Sequence, residues 1–176
     1  MERLSEIEEM FLDAEKAFDE GNHRQGKRIL EAILTEEPSF GRAHNFMGWL
    51  YRTKYEDFKM AEKHFKLALK FDPDYPSTYL NYSYLLRDLG RLNEMENLLN
   101  RSLEIETVNK CGIYDEFGSM YELRGQYNKA IQFYRMAVRH CLNDKVLDDL
   151  RKHIKRCKKK KSMFSRFRRF IERVDV

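Results

Sequence analysis

A small residue returns at nearly constant intervals along this chain, and this recurrence limits the fold more than any other feature. Ala14, Gly48, Ser83 and Gly118 are separated by steps of 34, 35 and 35 residues. Each stands among large apolar residues spaced three or four apart, which is typical of a buried helical face. A small side chain at a fixed place on such a face predicts close contact with a second helix. The chain is therefore expected to contain four copies of one helical unit.

The clearest copy spans residues 111–144. Residues 114–121 read Y-x2-F-G-x2-Y, and residues 130–137 read A-x3-Y-x2-A. Gly125 separates these two halves at the point where the first helix must end, because glycine readily takes the left-handed conformation that terminates helices. The copy is therefore predicted to be a helix, a turn and a second helix.

This pattern resembles the tetratricopeptide repeat (TPR), whose consensus is W-x2-L-G-x2-Y…A-x3-F…P over 34 residues. The four copies lie at about 7–40, 41–75, 76–110 and 111–144. Two copies depart from the consensus: Tyr55 occupies the place of the usual turn glycine in the second, and Thr107 replaces the closing proline in the third.

The resemblance implies an all-α fold, a right-handed superhelical solenoid of helix–turn–helix repeats with a C-terminal capping helix. We expect the TPR domain to span residues 1–157. Its capping helix is predicted over about 144–157, where apolar residues recur at helical spacing and would cover the last repeat. Residues 158–176 are predicted to form a separate basic amphipathic tail.

Charge is divided unevenly along the chain. Residues 1–150 carry a net charge of −6, whereas residues 151–173 carry +11. No apolar run approaches the roughly 20 residues needed to cross a bilayer, and the acidic start at 1–6 differs from a secretory signal. Three cysteines fit reduced thiols better than a disulfide framework. The expectation is a cytoplasmic protein, peripheral to a membrane if its tail binds one.

The sequence contains no recognisable catalytic or cofactor-binding motif. It lacks a Gly-rich phosphate loop, an HExxH metal motif and a Ser or Cys nucleophile in a known elbow. His153 and Cys157 are four residues apart on one expected helix, but structural metal sites need four ligands in close sequence pairs. We therefore predict no enzyme activity, no cofactor and no metal site.

In the TPR family the first helix of each pair lines an inner groove, and its residues outside the core are the expected ligand contacts. The residues predicted to bind a peptide there are Arg42, Asn45, Trp49, Arg52, Asn81, Tyr84 and Arg87. The corresponding positions are Glu8, Phe11, Leu12, Glu15 and Asp19 in the first copy, and Gly112, Asp115, Glu116, Ser119 and Glu122 in the fourth. The middle of the groove is thus predicted to be basic and aromatic, with acidic ends.

The asparagines Asn45 and Asn81 stand where family members hydrogen-bond the main chain of an extended peptide. Trp, Tyr and Arg residues most often carry interface energy, and arginine takes up carboxylates in paired hydrogen bonds. The predicted ligand is therefore an acidic or C-terminal peptide with hydrophobic anchors, or a helix. The alternative is that Trp49 packs between neighbouring first helices and that the arginines are simply solvated.

The predicted tail alternates phenylalanine with arginine behind four lysines. A basic amphipathic helix of this kind has the composition of an interfacial membrane anchor. The residues predicted to make contacts are Lys158, Lys159, Lys160, Lys161, Phe164, Arg166, Phe167, Arg168 and Arg169. We rank docking on a partner, or self-association, first, an anionic membrane surface second and nucleic acid third.

Together these features predict a protein–protein interaction scaffold or adaptor that holds a peptide or helix of a partner in its concave groove. The alternative is a peripheral membrane or nucleic-acid adaptor that is located by its basic tail.

Overall fold

The computed structural model describes the backbone of residues 2–174 and the side chains of residues 4–165. All regular structure in that part of the chain is α-helical, which confirms the predicted fold class. The helices are α1 (Glu2–Asp19), α2 (His23–Glu36), α3 (Gly41–Thr53), α4 (Phe58–Phe71), α5 (Pro76–Asp88), α6 (Leu92–Ser102), α7 (Lys110–Leu123), α8 (Tyr127–His140) and α9 (Asp144–Val174).

The helices fall into two compact units. Unit 1 ends at Leu89 and contains α1 to α5, and unit 2 begins at Gly90 and contains α6 to α9. Each unit has its own buried helix pairs: α1 packs with α2 and α3 with α4 in unit 1, and α7 packs with α8 in unit 2. No helix within residues 2–174 is both long enough and apolar enough to cross a membrane.

In the second and fourth copies the recurring small residue lies where the two helices of a pair touch. A Cβ atom built on Gly118 would stand 2.4 Å from Cδ1 of Tyr134, and one built on Gly48 would stand 2.7 Å from Cδ1 of Phe65. Carbon atoms in contact are normally about 3.5–4.0 Å apart, and both rings are fully buried. Glycine therefore allows an aromatic ring of the second helix to lie directly on the backbone of the first.

Four turns between consecutive helices use the left-handed conformation at one residue. Gly21, Gly90 and Gly125 have φ angles of 76°, 68° and 71°. In the second copy the left-handed residue is Glu56, with φ 52°, one position after the tyrosine that occupies the usual glycine place. The extra residue of this turn thus moves the strained position onto a residue with a side chain.

Two histidines form a buried hydrogen-bonded pair in unit 1. Nδ1 of His44 lies 3.0 Å from Nδ1 of His64, and Nε2 of His44 lies 3.0 Å from the carbonyl oxygen of Pro38. Because a carbonyl only accepts, the proton of His44 is on Nε2, and its Nδ1 accepts from the Nδ1–H of His64. Burial lowers the pKa of His64 to about 4, and it also lowers the pKa of His44. Both rings are therefore neutral near pH 7.

The last helix is longer than the sequence predicted. α9 is continuous from Asp144 to Val174, so the expected end of the capping helix at Cys157 is wrong. Lysine is a good helix former, and the run at 158–161 continues the helix rather than breaking it. α9 packs along α8, with Leu150 and Cys157 fully buried. The separation of a TPR domain at 1–157 from a tail at 158–176 stays a prediction.

Candidate functional site in unit 1

The first helices of the pairs in unit 1, together with α5, enclose a cavity of about 480 Å³. Volumes between about 300 and 1,000 Å³ are usual for sites that bind small ligands or anchoring side chains. The lining residues are Glu15, Phe18, Asp19, Asn45, Phe46, Trp49, Tyr75, Ser77, Leu80, Asn81 and Tyr84. Of the seven predicted groove residues, the structure brings four to this cavity: Asn45, Trp49, Asn81 and Tyr84.

Aromatic rings form the apolar part of the lining. The ring of Phe18 stacks on Phe46 at a centroid distance of 5.5 Å and meets Trp49 edge-on at 5.7 Å. The other side of Trp49 faces the ring of His23 at 5.8 Å. Trp49 therefore packs between α1 and the start of α2 while it also lines the cavity. The two interpretations of this residue, packing and ligand contact, are compatible.

The two predicted asparagines bond to each other across α3 and α5. Nδ2 of Asn81 donates to Oδ1 of Asn45 at 3.1 Å, and Asn45 is only 2% exposed. The second N–H of Asn81 and its carboxamide oxygen form no hydrogen bond with a described residue. Asn45 thus fixes the orientation of Asn81, which keeps one donor and one acceptor for a ligand.

Arg42 is predicted as a ligand contact, but its guanidinium is engaged within unit 1 and does not line the cavity. It forms an ion pair with Glu8 and stands over the rings of Phe40 and Phe11, at 4.7 and 5.1 Å from their centroids. Guanidinium groups favour the faces of aromatic rings. This residue therefore ties α3 to α1.

The other two predicted arginines surround Tyr84 and also lie outside the cavity lining. Arg52 forms an ion pair with Asp88 at 2.7 Å, and its guanidinium stands 5.5 Å from the centroid of Tyr84. Arg87 lies 5.2 Å from the same ring centroid. Tyr84 thus contacts both guanidinium groups, and of these three residues it is the one that lines the cavity.

The cavity is acidic rather than basic. Glu15 and Asp19 are its charged lining residues, and neither forms an ion pair with a described side chain. These carboxylates belong to α1, in the first copy, where the sequence predicted an acidic end of the groove. The three arginines predicted for the middle of the groove do not line this cavity. Arg42 and Arg52 are neutralised by carboxylates about one repeat away in the sequence. The repeat pattern did not reveal those partners. Burial raises the pKa of Tyr75, and the nearby Glu15 carboxylate raises it further, so its hydroxyl stays protonated.

The inner face of the fourth copy, in unit 2, is covered. Glu122 was predicted to face the ligand, yet it is only 8% exposed because α9 lies over it. Arg156 donates two hydrogen bonds to its carboxylate at 2.7 and 2.6 Å, Lys160 donates one at 2.8 Å, and the hydroxyl of Tyr134 donates one at 3.0 Å. Burial alone would raise the pKa of Glu122, but the bonds from Arg156 and Lys160 hold it well below its usual value.

A second contact fixes α9 on the same face. Nδ1 of His153 lies 3.3 Å from a carboxylate oxygen of Asp115, and its ring lies 5.1 Å from the ring of Tyr134. The prediction of Asp115 and Glu122 as groove residues is therefore wrong. Their partners His153, Arg156 and Lys160 recur at intervals of three and four in the sequence, and that spacing was the signal that could have revealed the contact.

Comparisons with known proteins agree with this architecture. A family model described as tetratricopeptide repeat matches residues 76–109, within one residue of the predicted third copy. Residues 76–109 match the tetratricopeptide repeat. The predicted resemblance to the TPR family is thereby confirmed, and solved structures of TPR proteins share the fold. Comparison with curated protein sequences finds no match.

Three solved structures illustrate the likeness. A thermophilic TPR protein of Thermus thermophilus has a TM-score of 0.68 at 17% identity, over 86% of this chain and 80% of that one. PilF of Pseudomonas aeruginosa has a TM-score of 0.76 at 18% identity, over 94% and 78%. YrrB, described as a TPR protein with an unusual peptide-binding site, has a TM-score of 0.67 at 17% identity, over 87% and 76%. Identities this low establish the fold alone.

The TPR fold is typical of interaction scaffolds, because stacked repeats create extended surfaces for other proteins. TPR proteins are generally scaffolds rather than enzymes. Within the described side chains, no group of three or more His, Cys, Asp or Glu residues is arranged to hold a metal ion. His153 and Cys157, the pair considered from the sequence, face Asp115 and Glu122 respectively.

The basic residues after the fourth TPR have separate environments on α9. Lys160 binds Glu122, whereas Lys158 and Lys161 line a cleft beside α8, and Lys159 is exposed. Phe164 is 62% exposed, and its ring lies 5.7 Å from that of Tyr127. The other predicted tail contacts lie in α9 beyond the side chains that the structure describes: Arg166, Phe167, Arg168 and Arg169.

Proposed function

We propose that this protein is an interaction scaffold whose unit 1 binds a peptide segment of a partner protein in the cavity between α1, α3 and α5. The observation that supports this most directly is the combination of an aromatic lining with Asn81, whose amide is oriented by Asn45 and keeps hydrogen-bonding capacity. The aromatic part suits an apolar side chain, and the amide suits a main-chain N–H and C=O.

The charge of the lining selects among peptides. Glu15 and Asp19 would stand near the bound segment and have no cationic partner among the described residues. An acidic peptide, which the sequence predicted, would have to draw Arg42 or Arg52 away from Glu8 or Asp88. We therefore propose a ligand that combines one large apolar residue with a neighbouring lysine or arginine.

The test uses immobilised nine-residue peptides that carry one central Phe or Leu, flanked by Lys/Arg, by Asp/Glu or by Ser. We expect the intact protein to select the basic set. Affinities of the selected peptides are then measured by calorimetry. Trp49→Ala should weaken binding by at least about 2 kcal/mol if the indole contacts the anchor. Tyr55→Ala, an exposed aromatic outside the cavity lining, is the matched control and should leave binding unchanged.

A charge reversal separates ligand contact from packing. Asp19 is exposed, so Asp19→Lys should leave the helix content unchanged while it reverses the preference between basic and acidic peptides. Selection of acidic peptides by the wild type would restore the original ligand prediction. Binding that is insensitive to both Trp49→Ala and Asp19→Lys would place recognition outside this cavity. Location at a membrane or on nucleic acid through the basic tail stays a prediction.

A further inference from the structure

A second concave surface lies within unit 2, between α8 and α9, and the peptide-binding proposal does not use it. It is a cleft of about 740 Å³. Its lining residues are Asn128, Ile131, Gln132, Arg135, Met136, Arg139, Lys158, Lys161, Ser162 and Ser165. We propose that this cleft binds a ligand that carries several phosphate groups close together, such as an inositol phosphate or the same headgroup on a lipid.

The charge of the cleft has one sign. Arg135 and Arg139 are one helical turn apart on α8, Lys158 and Lys161 are about one turn apart on α9, and the lining contains no Asp or Glu. None of these four cations forms an ion pair with a described carboxylate. Cations gathered in one concave surface without anions repel one another, and a bound anion removes that repulsion.

Several other cations of α9 do form ion pairs. Arg151 pairs with Asp148 and Lys152 with Asp149, each one turn earlier on α9. Arg156 pairs with the buried carboxylate on α7. These three cations of α9 are thus neutralised, whereas Lys155, Lys158, Lys159 and Lys161 have no carboxylate partner among the described side chains. Of these four, Lys158 and Lys161 face the two arginines of α8 across the cleft.

The hydrogen-bonding groups of the cleft also suit phosphate. Asn128, Gln132 and Ser162 can donate to phosphate oxygens alongside the four cations. Guanidinium groups bind phosphate through two parallel hydrogen bonds, and lysine adds a compact charge. The ligand therefore meets donors from both walls of the cleft.

The size of the cleft selects the ligand class. An extended acidic peptide carries one charge for each ~3.3–3.6 Å of its length, so few of its carboxylates would reach the cleft together. Each phosphate monoester carries about 1.5 to 2 negative charges near pH 7. Two or three phosphates on one ring therefore match four cations within a volume that is usual for small-ligand sites. This chemistry is the same for a soluble inositol phosphate and for a phosphoinositide headgroup.

The experiment uses the intact protein and two probes. Inositol 1,4,5-trisphosphate is titrated in a calorimeter, and phosphatidylcholine vesicles that contain phosphatidylinositol 4,5-bisphosphate are tested by flotation. Vesicles with phosphatidylserine at the same total charge control for non-specific attraction. We expect binding of at least one phosphorylated probe and little binding to phosphatidylserine. Binding of the soluble probe alone indicates a soluble ligand, and binding of the vesicles alone indicates a lipid headgroup. If both bind, competition of the trisphosphate against the vesicles shows whether they share the cleft, which supports the proposal for either source.

Matched variants test the location. Arg135→Gln with Arg139→Gln removes two charges from the cleft, and Arg151→Gln with Lys152→Gln removes two exposed charges elsewhere in unit 2. The cleft variant should lose about tenfold in affinity for each arginine removed. The control variant should lose less than about threefold, which is the share expected from general attraction.

Three results would overturn the proposal. The first is the absence of binding to either phosphorylated probe at 100 mM salt. The second is an equal loss in the cleft and control variants, which would mean that only net charge matters. The third is a glutamate-rich peptide of equal charge that binds more tightly than the trisphosphate. Because all four substituted residues are exposed, circular dichroism of each variant should match the wild type.

Discussion

The two units present the same repeat face in different ways. In unit 1 the inner surfaces of α1, α3 and α5 border a cavity, and in unit 2 the corresponding surface of α7 lies under α9. Arg52, Arg87 and Glu122 occupy equivalent positions, four residues after the small residue of their own copies. Arg52 binds an exposed carboxylate, whereas Glu122 is buried beneath two cations. The helix that packs on a repeat, rather than the position within the repeat, decides whether a residue is available to a ligand.

The largest expected effect comes from removing the contact that covers unit 2. Glu122→Ala leaves the buried hydroxyl of Tyr134 without its acceptor and removes the partner of Arg156 and Lys160. Breaking a buried ion pair costs about 3–5 kcal/mol. Because both cations are roughly half exposed, we expect the lower end, about 3 kcal/mol, in urea unfolding followed by circular dichroism.

The matched variant in unit 1 is Arg52→Ala, at the equivalent repeat position. Its ion pair with Asp88 is partly exposed, so the expected cost is at most about 1 kcal/mol. Amide hydrogen exchange shows which helices are destabilised. Amides of α7 and α9 should exchange faster in Glu122→Ala, and their exchange rates should be unchanged in Arg52→Ala. Equal destabilisation by the two variants would contradict the distinction between an open and a covered face.

The next largest expected effect is the loss of stability of unit 1 in mild acid. His64 in unit 1 has a pKa of about 4, below the usual value of about 6.5. Between those values the unfolded chain binds the proton and the folded chain does not, so stability falls as the pH is lowered from 6.5 to 4. The expected loss between pH 7 and pH 5 is about 2 kcal/mol. The depressed pKa of Glu122 acts only below about pH 4.5, where the unfolded carboxyl begins to bind a proton.

Urea unfolding followed by Trp49 fluorescence at pH 7, 6 and 5 measures this effect in unit 1. His64→Gln keeps a donor for the ring of His44 and should remove the part of the pH dependence that comes from His64, while the part from His44 remains. A wild-type midpoint that stays constant from pH 7 to pH 5 would show that the histidine pair is not the acid-sensitive element.

The smallest effect concerns the turns. Glu56 adopts the conformation that glycine adopts at Gly125, and a residue with a Cβ atom pays about 1–2 kcal/mol for it. Glycine also loses more entropy on folding, so we expect Glu56→Gly to raise stability by about 0.5 kcal/mol. Gly125→Ala, the reverse change in unit 2, should lower it by about 1 kcal/mol. Thermal unfolding of both variants checks the sign, and a Glu56→Gly variant less stable than wild type would refute the argument.

The sequence predicted the parts of the fold that depend on contacts within one repeat. The period of the small residues located each helix pair, and Gly118 and Gly48 do lie beneath aromatic rings. Four of seven predicted groove residues line the cavity. Glu15 and Asp19, two inner positions predicted for the first copy, line it as well. The contribution of the Phe18 ring to this lining was missed, because Phe18 comes from the weakest copy.

Contacts between repeats were not predictable from the repeat pattern. Arg42 and Arg52 pair with carboxylates 34 and 36 residues away. The positive charges that the sequence predicted to be available to a ligand are therefore already neutralised. The end of α9 was misplaced for a related reason. Four lysines read as a break in an amphipathic pattern, but one of them has a buried carboxylate as its partner.

The reactivity of the Cys157 thiol reports how often α9 separates from the face of unit 2 that it covers. The side chain is fully buried beside Glu122, and burial raises its pKa to about 12. The thiolate is the form that attacks alkylating reagents. The buried thiol is therefore protected both because the reagent cannot reach it and because it is not ionised. Each time α9 lifts from α7, the sulfur meets solvent and regains ordinary reactivity. The rate at which a maleimide consumes Cys157 therefore counts the openings of this helix in the native protein.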